Sequence, residues 1–122
     1  MCWRALPVLA ALALLLAGAP DARAHVTLER AHPRAGSTVR SAPHEVKLWF
    51  TGALEPAFSR LRVVNEAGDR VDRDDAAVDG ANRALLRASL GTLPPGRYRV
   101  VWRVVSVDSH VTEGEFSFRV AP

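Results

Sequence analysis

The last quarter of the chain constrains the fold most. Over "GRYRVVWRVVSVDSH" the residues Tyr98, Val100, Trp102 and Val104 fall on one side, with Arg97, Arg99 and Arg103 on the other. "GEFSFRV" closes the chain with Phe116, Phe118 and Val120 alternating with Ser117 and Arg119. A period of two sends successive side chains to opposite faces of an extended chain, so each run reads as a strand with one apolar face to bury. Such a strand needs neighbours in a sheet and a second layer to cover it.

Shorter runs repeat the pattern. Val46, Leu48 and Phe50 share a face in "EVKLWF", and Leu61 and Val63 do so in "SRLRVV". Between the runs stand "HPRAGS", "SAPHE", "NEAGD", "VDGAN" and "TLPPGR", rich in the Gly, Pro, Asn and Asp that turn dihedrals favour. "ANRALLRASLGTL" also suits a short helix by propensity. A strand over Ala84 to Leu90 agrees better with its all-β surroundings. About seven short strands predict an all-β, immunoglobulin-like sandwich of two antiparallel sheets, with loops gathered at its two ends.

The start of the chain is of another kind. Met1 to Arg4 precede the apolar run "ALPVLAALALLLAGAP", and "DARA" offers Ala22 and Ala24 as the small residues of a signal-peptidase site. These are the three regions of a secretory leader, with cleavage expected after Ala24. A membrane anchor is the rival, but the apolar run falls short of the roughly 20 residues a spanning helix needs. Residues 25–122 then form one domain of 98 residues, without internal repeat or linker. Cys2, the only cysteine, leaves with the leader, so no disulfide is available despite export. The mature balance of 14 basic against 12 acidic residues is mild and interspersed, which does not favour nucleic acid or an anionic membrane as partner. No Gly-rich phosphate loop, nucleophile elbow or Cys-rich zinc pattern occurs.

The candidate chemistry lies in the histidines. Asp108 and His110 are two apart, so in extended chain they project to one side with Cα atoms roughly 6.5 Å apart. Counting by twos from Tyr98 through Ser106 keeps them in phase with the buried face, at the point where it turns polar. A carboxylate and an imidazole at such a rim need a partner, and a metal ion supplies one. Alternatively the strand ends by Val107 and "DSH" is an exposed turn with an Asx bond.

His25 would become the amino terminus on cleavage after Ala24. Its α-amine, titrating near 8, and its imidazole Nδ1 can then chelate one ion, although a terminal residue can equally fray in solvent. With Asp108 and His110 the set is three nitrogens and one oxygen, which favours Cu(II) over Zn(II). Met1 and Cys2 are the only methionine and cysteine, so the mature chain has no soft ligand for Cu(I). His32, His44, Glu29 and Glu113 are minor candidates in the same argument.

Taken together, "HVTLERAHPRAGSTVRSAPHEVKLWFTGALEP", "RLRVVNEAGDRV" and "LPPGRYRVVWRVVSVDSHVTEGEFSFRV" resemble the CopC family of periplasmic copper-binding proteins over essentially all of residues 25–122. The resemblance implies a Greek-key β-barrel or sandwich with one tightly bound Cu(II), held by the amine and imidazole of His25 and by Asp108 and His110. Some members add a methionine-rich Cu(I) site, which nothing here matches. Members usually have Gly where this chain has Ser109, and a positive φ there would cost serine about 1 kcal/mol or more.

The expected function is copper(II) carriage or buffering in the periplasm, for copper resistance or delivery to a CopD-like inner-membrane importer, by a monomer without catalytic turnover. A mono-copper redox enzyme is the first alternative, opposed by the absence of an obvious open position for oxygen. A metal-free sandwich used for adhesion or assembly is the second.

Overall fold

The computed structural model describes residues 25–122, so the expected leader lies outside the described residues. Eight strands follow in chain order: β1 Leu28–His32, β2 Thr38–Val39, β3 Glu45–Phe50, β4 Arg60–Val64, β5 Ala77–Val78, β6 Leu85–Ser89, β7 Gly96–Val105 and β8 Val111–Val120. They form two four-stranded sheets, ordered β1-β3-β6-β5 and β2-β8-β7-β4. All pairings are antiparallel except β2 with β8. The all-β sandwich expected from the alternation is therefore the observed architecture, and no helix occurs among the described residues.

The alternation sorts side chains as anticipated. Val46, Leu48 and Phe50 from β3 meet Leu61 and Val63 from β4 and Tyr98, Val100 and Val104 from β7 in one continuous core. The segment with helical propensity forms β6, which supplies Leu86 and Ala88 to that core. Sheet packing outweighs propensity here, because Leu86 lies opposite Leu48 in the ladder and is fully buried. Trp102 crosses directly opposite Gly114, where only a residue without Cβ leaves room for the indole. Its ring also meets Phe50 and Phe116 at centroid distances of 6.4 and 5.9 Å.

β7 and β8 pair over ten register positions, from Gly96↔Val120 to Val105↔Val111. This long hairpin carries the Asp108–His110 turn to one end of the sandwich. β3 runs toward the same end, since Leu54 bridges Ser106 and the amide of Glu55 donates to the carbonyl of Val105 (2.7 Å).

Candidate metal centre

His25 is placed by the two residues after it. Val26 is buried in the core and packs onto Gly52, where an added Cβ would lie 3.3 Å from Val26 Cγ2. The amide of Thr27 donates to Thr51 Oγ1 (3.0 Å), and the amide of Thr51 donates back to the Thr27 carbonyl (2.9 Å). An apolar anchor and two hydrogen bonds thus hold the segment against the end of β3. The His25 ring stands edge-on to that of His110, with centroids 5.2 Å apart and planes at 83°.

The second half comes from the hairpin. β7 ends at Val105, the amide of Ser106 donates to the carbonyl of His110 (2.9 Å), and the amide of Ser109 donates to that of Ser106 (2.9 Å). Asp108 therefore lies in a turn and is exposed, while Ser106 continues the buried face as its last member. Of the two outcomes left open by the sequence, the strand does end before Asp108. The turn nevertheless folds Asp108 and His110 together, with His110 Nδ1 3.2 Å from Asp108 Oδ1. Ser109 adopts φ 70°, the left-handed conformation in which serine pays the cost that glycine avoids.

Ser106 organises this turn, a role that alternation alone does not reveal. Its side chain is 1 % exposed; the hydroxyl donates to Asp108 Oδ1 and accepts the amide of His110 (3.1 Å). The Ser106 hydroxyl above all holds the Asp108 carboxyl below the usual aspartate range. His110 Nδ1 is buried, and although Asp108 is near, the alignment does not make a hydrogen bond. A buried ring nitrogen without a hydrogen-bond partner, beside a carboxylate and a second imidazole, fits a site for a cation with nitrogen and oxygen donors.

No group of three or more His, Cys, Asp and Glu side chains is positioned to share an ion among the described residues. Asp108 is turned toward Ser106 and His110, and in the uncleaved chain the nitrogen of residue 25 is a peptide nitrogen rather than an amine. Of the minor candidates, His32 ends β1 opposite Lys47 and His44 precedes β3, both at the far end of the β1–β3 ladder from Phe50. Glu29 is exposed where that ladder bulges, and Glu113 pairs with Arg103.

The fold and the cluster define a class: a small all-β sandwich with His25, Asp108 and His110 near one another at one end. Similarity to known proteins narrows this class. The CopC domain model matches residues 28–121, and the chain belongs to the CopC family of copper resistance and transport proteins. It is 33% identical over 98 residues to the copper transport protein CutJ of Bacillus subtilis, covering 80% of this chain but only 18% of that protein. With copper resistance protein C of Pseudomonas syringae pv. tomato it shares 30% identity over 105 residues, 81% of this chain and 82% of the relative. The crystal structure of CopC from Methylosinus trichosporium OB3b superposes with TM-score 0.75 at 35% identity, covering 80% of this chain and 95% of that one.

Proposed function

We propose that the mature chain binds one Cu(II) through the α-amine and imidazole of His25, the carboxylate of Asp108 and the imidazole of His110. The observation that carries this reading is the approach of the His25 and His110 rings to 5.2 Å at the turn that also holds Asp108. Cleavage after Ala24 would complete the donor set by freeing the amine, so export to the periplasm and formation of the site become one event. Binding would require Asp108 to turn from its contact with His110 toward the ion.

The protein acts as a copper carrier or buffer and not as an enzyme, serving copper resistance or delivery to a membrane importer. Delivery is supported by the match to a segment of the much longer copper transport protein CutJ. Residues 25–122 contain no methionine or cysteine, so reduction to Cu(I) would favour release. The protein would work as a monomer.

The test is a Cu(II) titration of the mature protein beside a form with one extra residue ahead of His25. The extension converts the amine to an amide and should weaken binding strongly, with a changed cupric EPR signal. Equal affinity and identical spectra would overturn the amino-terminal chelate.

A further inference from the structure

We propose that the outer face of the β2-β8-β7-β4 sheet is a docking surface for an acidic protein partner. The basic residues look interspersed along the sequence, but the period of two gathers them in space. Arg60 and Arg62 from β4, Arg97, Arg99 and Arg103 from β7, and Arg119 from β8 share this face with only Glu113 and Glu115 as strand acids. All six arginines are exposed.

Two details of register are costly for an isolated protein. Arg60 lies directly opposite Arg103, and Arg97 directly opposite Arg119. Like charges facing each other across a ladder are destabilising. The glutamates relieve part of the field, through Arg103–Glu113 at 3.1 Å and Arg99–Glu115 at 3.7 Å. Arg60, Arg62, Arg97 and Arg119 have no ion-pair partner among the described residues. On the outer face of the opposite sheet, by contrast, Lys47 pairs with Glu45 and Arg87 with Glu45 and Asp79. An anionic partner would turn the unfavourable arrangement into a favourable one.

The shape of the face points to carboxylates on a protein. A concavity of about 900 Å³ opens here, lined by Arg60, Arg62, Arg103, Glu113 and Glu115 among others, with Arg70 at its margin already paired with Asp72 and Asp74. Protruding acidic side chains can enter it and meet guanidinium forks in bidentate geometry. Glu113 and Glu115, paired with Arg103 and Arg99, divide the arginines into separate groups. An acidic protein segment can place its carboxylates between them, whereas a flat anionic lipid surface would lie over both signs of charge. The face also reaches the candidate metal centre. Arg103 and Glu113 stand two residues from the Val105↔Val111 end of the ladder, beyond which the turn bears Asp108 and His110. A partner seated on the arginines would stand beside that turn. Only the nature of the cargo exchanged there rests on the proposed function.

The test uses the isotopically labelled mature protein, with poly-L-glutamate as probe and phosphatidylglycerol vesicles as comparison. Amide shifts on titration with poly-L-glutamate should concentrate on β4, β7 and β8. The double variant Arg60→Glu/Arg62→Glu should lose at least about tenfold in affinity, and Arg30→Glu/Lys47→Glu, on β1 and β3 of the other sheet, should not. Thermal melts verify that the variants remain folded. Shifts scattered over the molecule, or equal losses in both double variants, would overturn the proposal. So would binding to the vesicles through Arg60 and Arg62 without response to poly-L-glutamate, which would assign the face to a membrane. Asp108→Ala should keep poly-L-glutamate binding, so a failure of the copper reading leaves a result distinct from a failure of the docking face.

Discussion

The hydroxyl of Ser106, buried beneath the β7–β8 turn, donates to the carboxylate of Asp108 and accepts the amide of His110. One small side chain thereby sets the position of both proposed hairpin ligands. Ser106→Ala should weaken Cu(II) binding by about tenfold, the lower end of what loss of a ligand-orienting partner costs. Ser106→Thr keeps the hydroxyl and should restore part of it. Competition titration with a chelator measures the affinity, and cupric EPR shows whether the ligand field changes. Unaltered affinity and spectrum in Ser106→Ala would show that the turn holds its shape without the hydroxyl.

Ser109 provides a test in the opposite direction. Its φ of 70° disfavours any side chain with a Cβ, and glycine adopts it without that penalty. Ser109→Gly should stabilise the fold by up to about 1 kcal/mol, measured by urea unfolding, as the relief of left-handed strain outweighs the added entropy of the unfolded chain. Copper affinity should stay close to that of the parent, because neither ligand is replaced. A loss of stability would mean that the turn gains more from serine than the dihedral costs.

The strands were legible because a period of two is written locally into each run, and β3, β4, β7 and β8 all follow it. β2 and β5 have two residues each and exist only through pairing with β8 and β6. No local pattern could mark them. Asp108 and His110 were visible as a spaced pair, but the turn that joins them depends on the buried hydroxyl of Ser106. The approach of His25 depends on Thr27 meeting Thr51, 24 residues away, and on Val26 entering the core. Likewise the charges read as interspersed until strand pairing set Arg60 against Arg103 and Arg97 against Arg119.

Gly114 is needed for its lack of a side chain. A Cβ there would run into the six-membered ring of Trp102, which is held by Phe50 and Phe116 and has little freedom to move. Gly114→Ala should therefore destabilise the protein by about 1–3 kcal/mol, the usual range for overpacking. Trp102 fluorescence should shift with it. Unchanged stability would show that the indole can swing clear.

Acid should weaken the fold partly through Asp75. Its carboxylate accepts the amide of Ser89 (2.8 Å), and interaction with Ser89 holds its pKa below the ordinary aspartate value. A depressed native pKa means that the unfolded chain takes up the proton first as pH falls. The stabilising contribution is fully present above the unfolded value of about 3.9, and is lost as pH drops through the native one. Asp75→Asn removes this titration, so its stability deficit relative to the parent should be constant near neutral pH and shrink in acid. Urea unfolding of both proteins from neutral pH down to pH about 3 measures the difference, and aspartates other than Asp75 contribute equally to each. A deficit that stays constant throughout would show that the Ser89 contact does not favour the charged carboxylate.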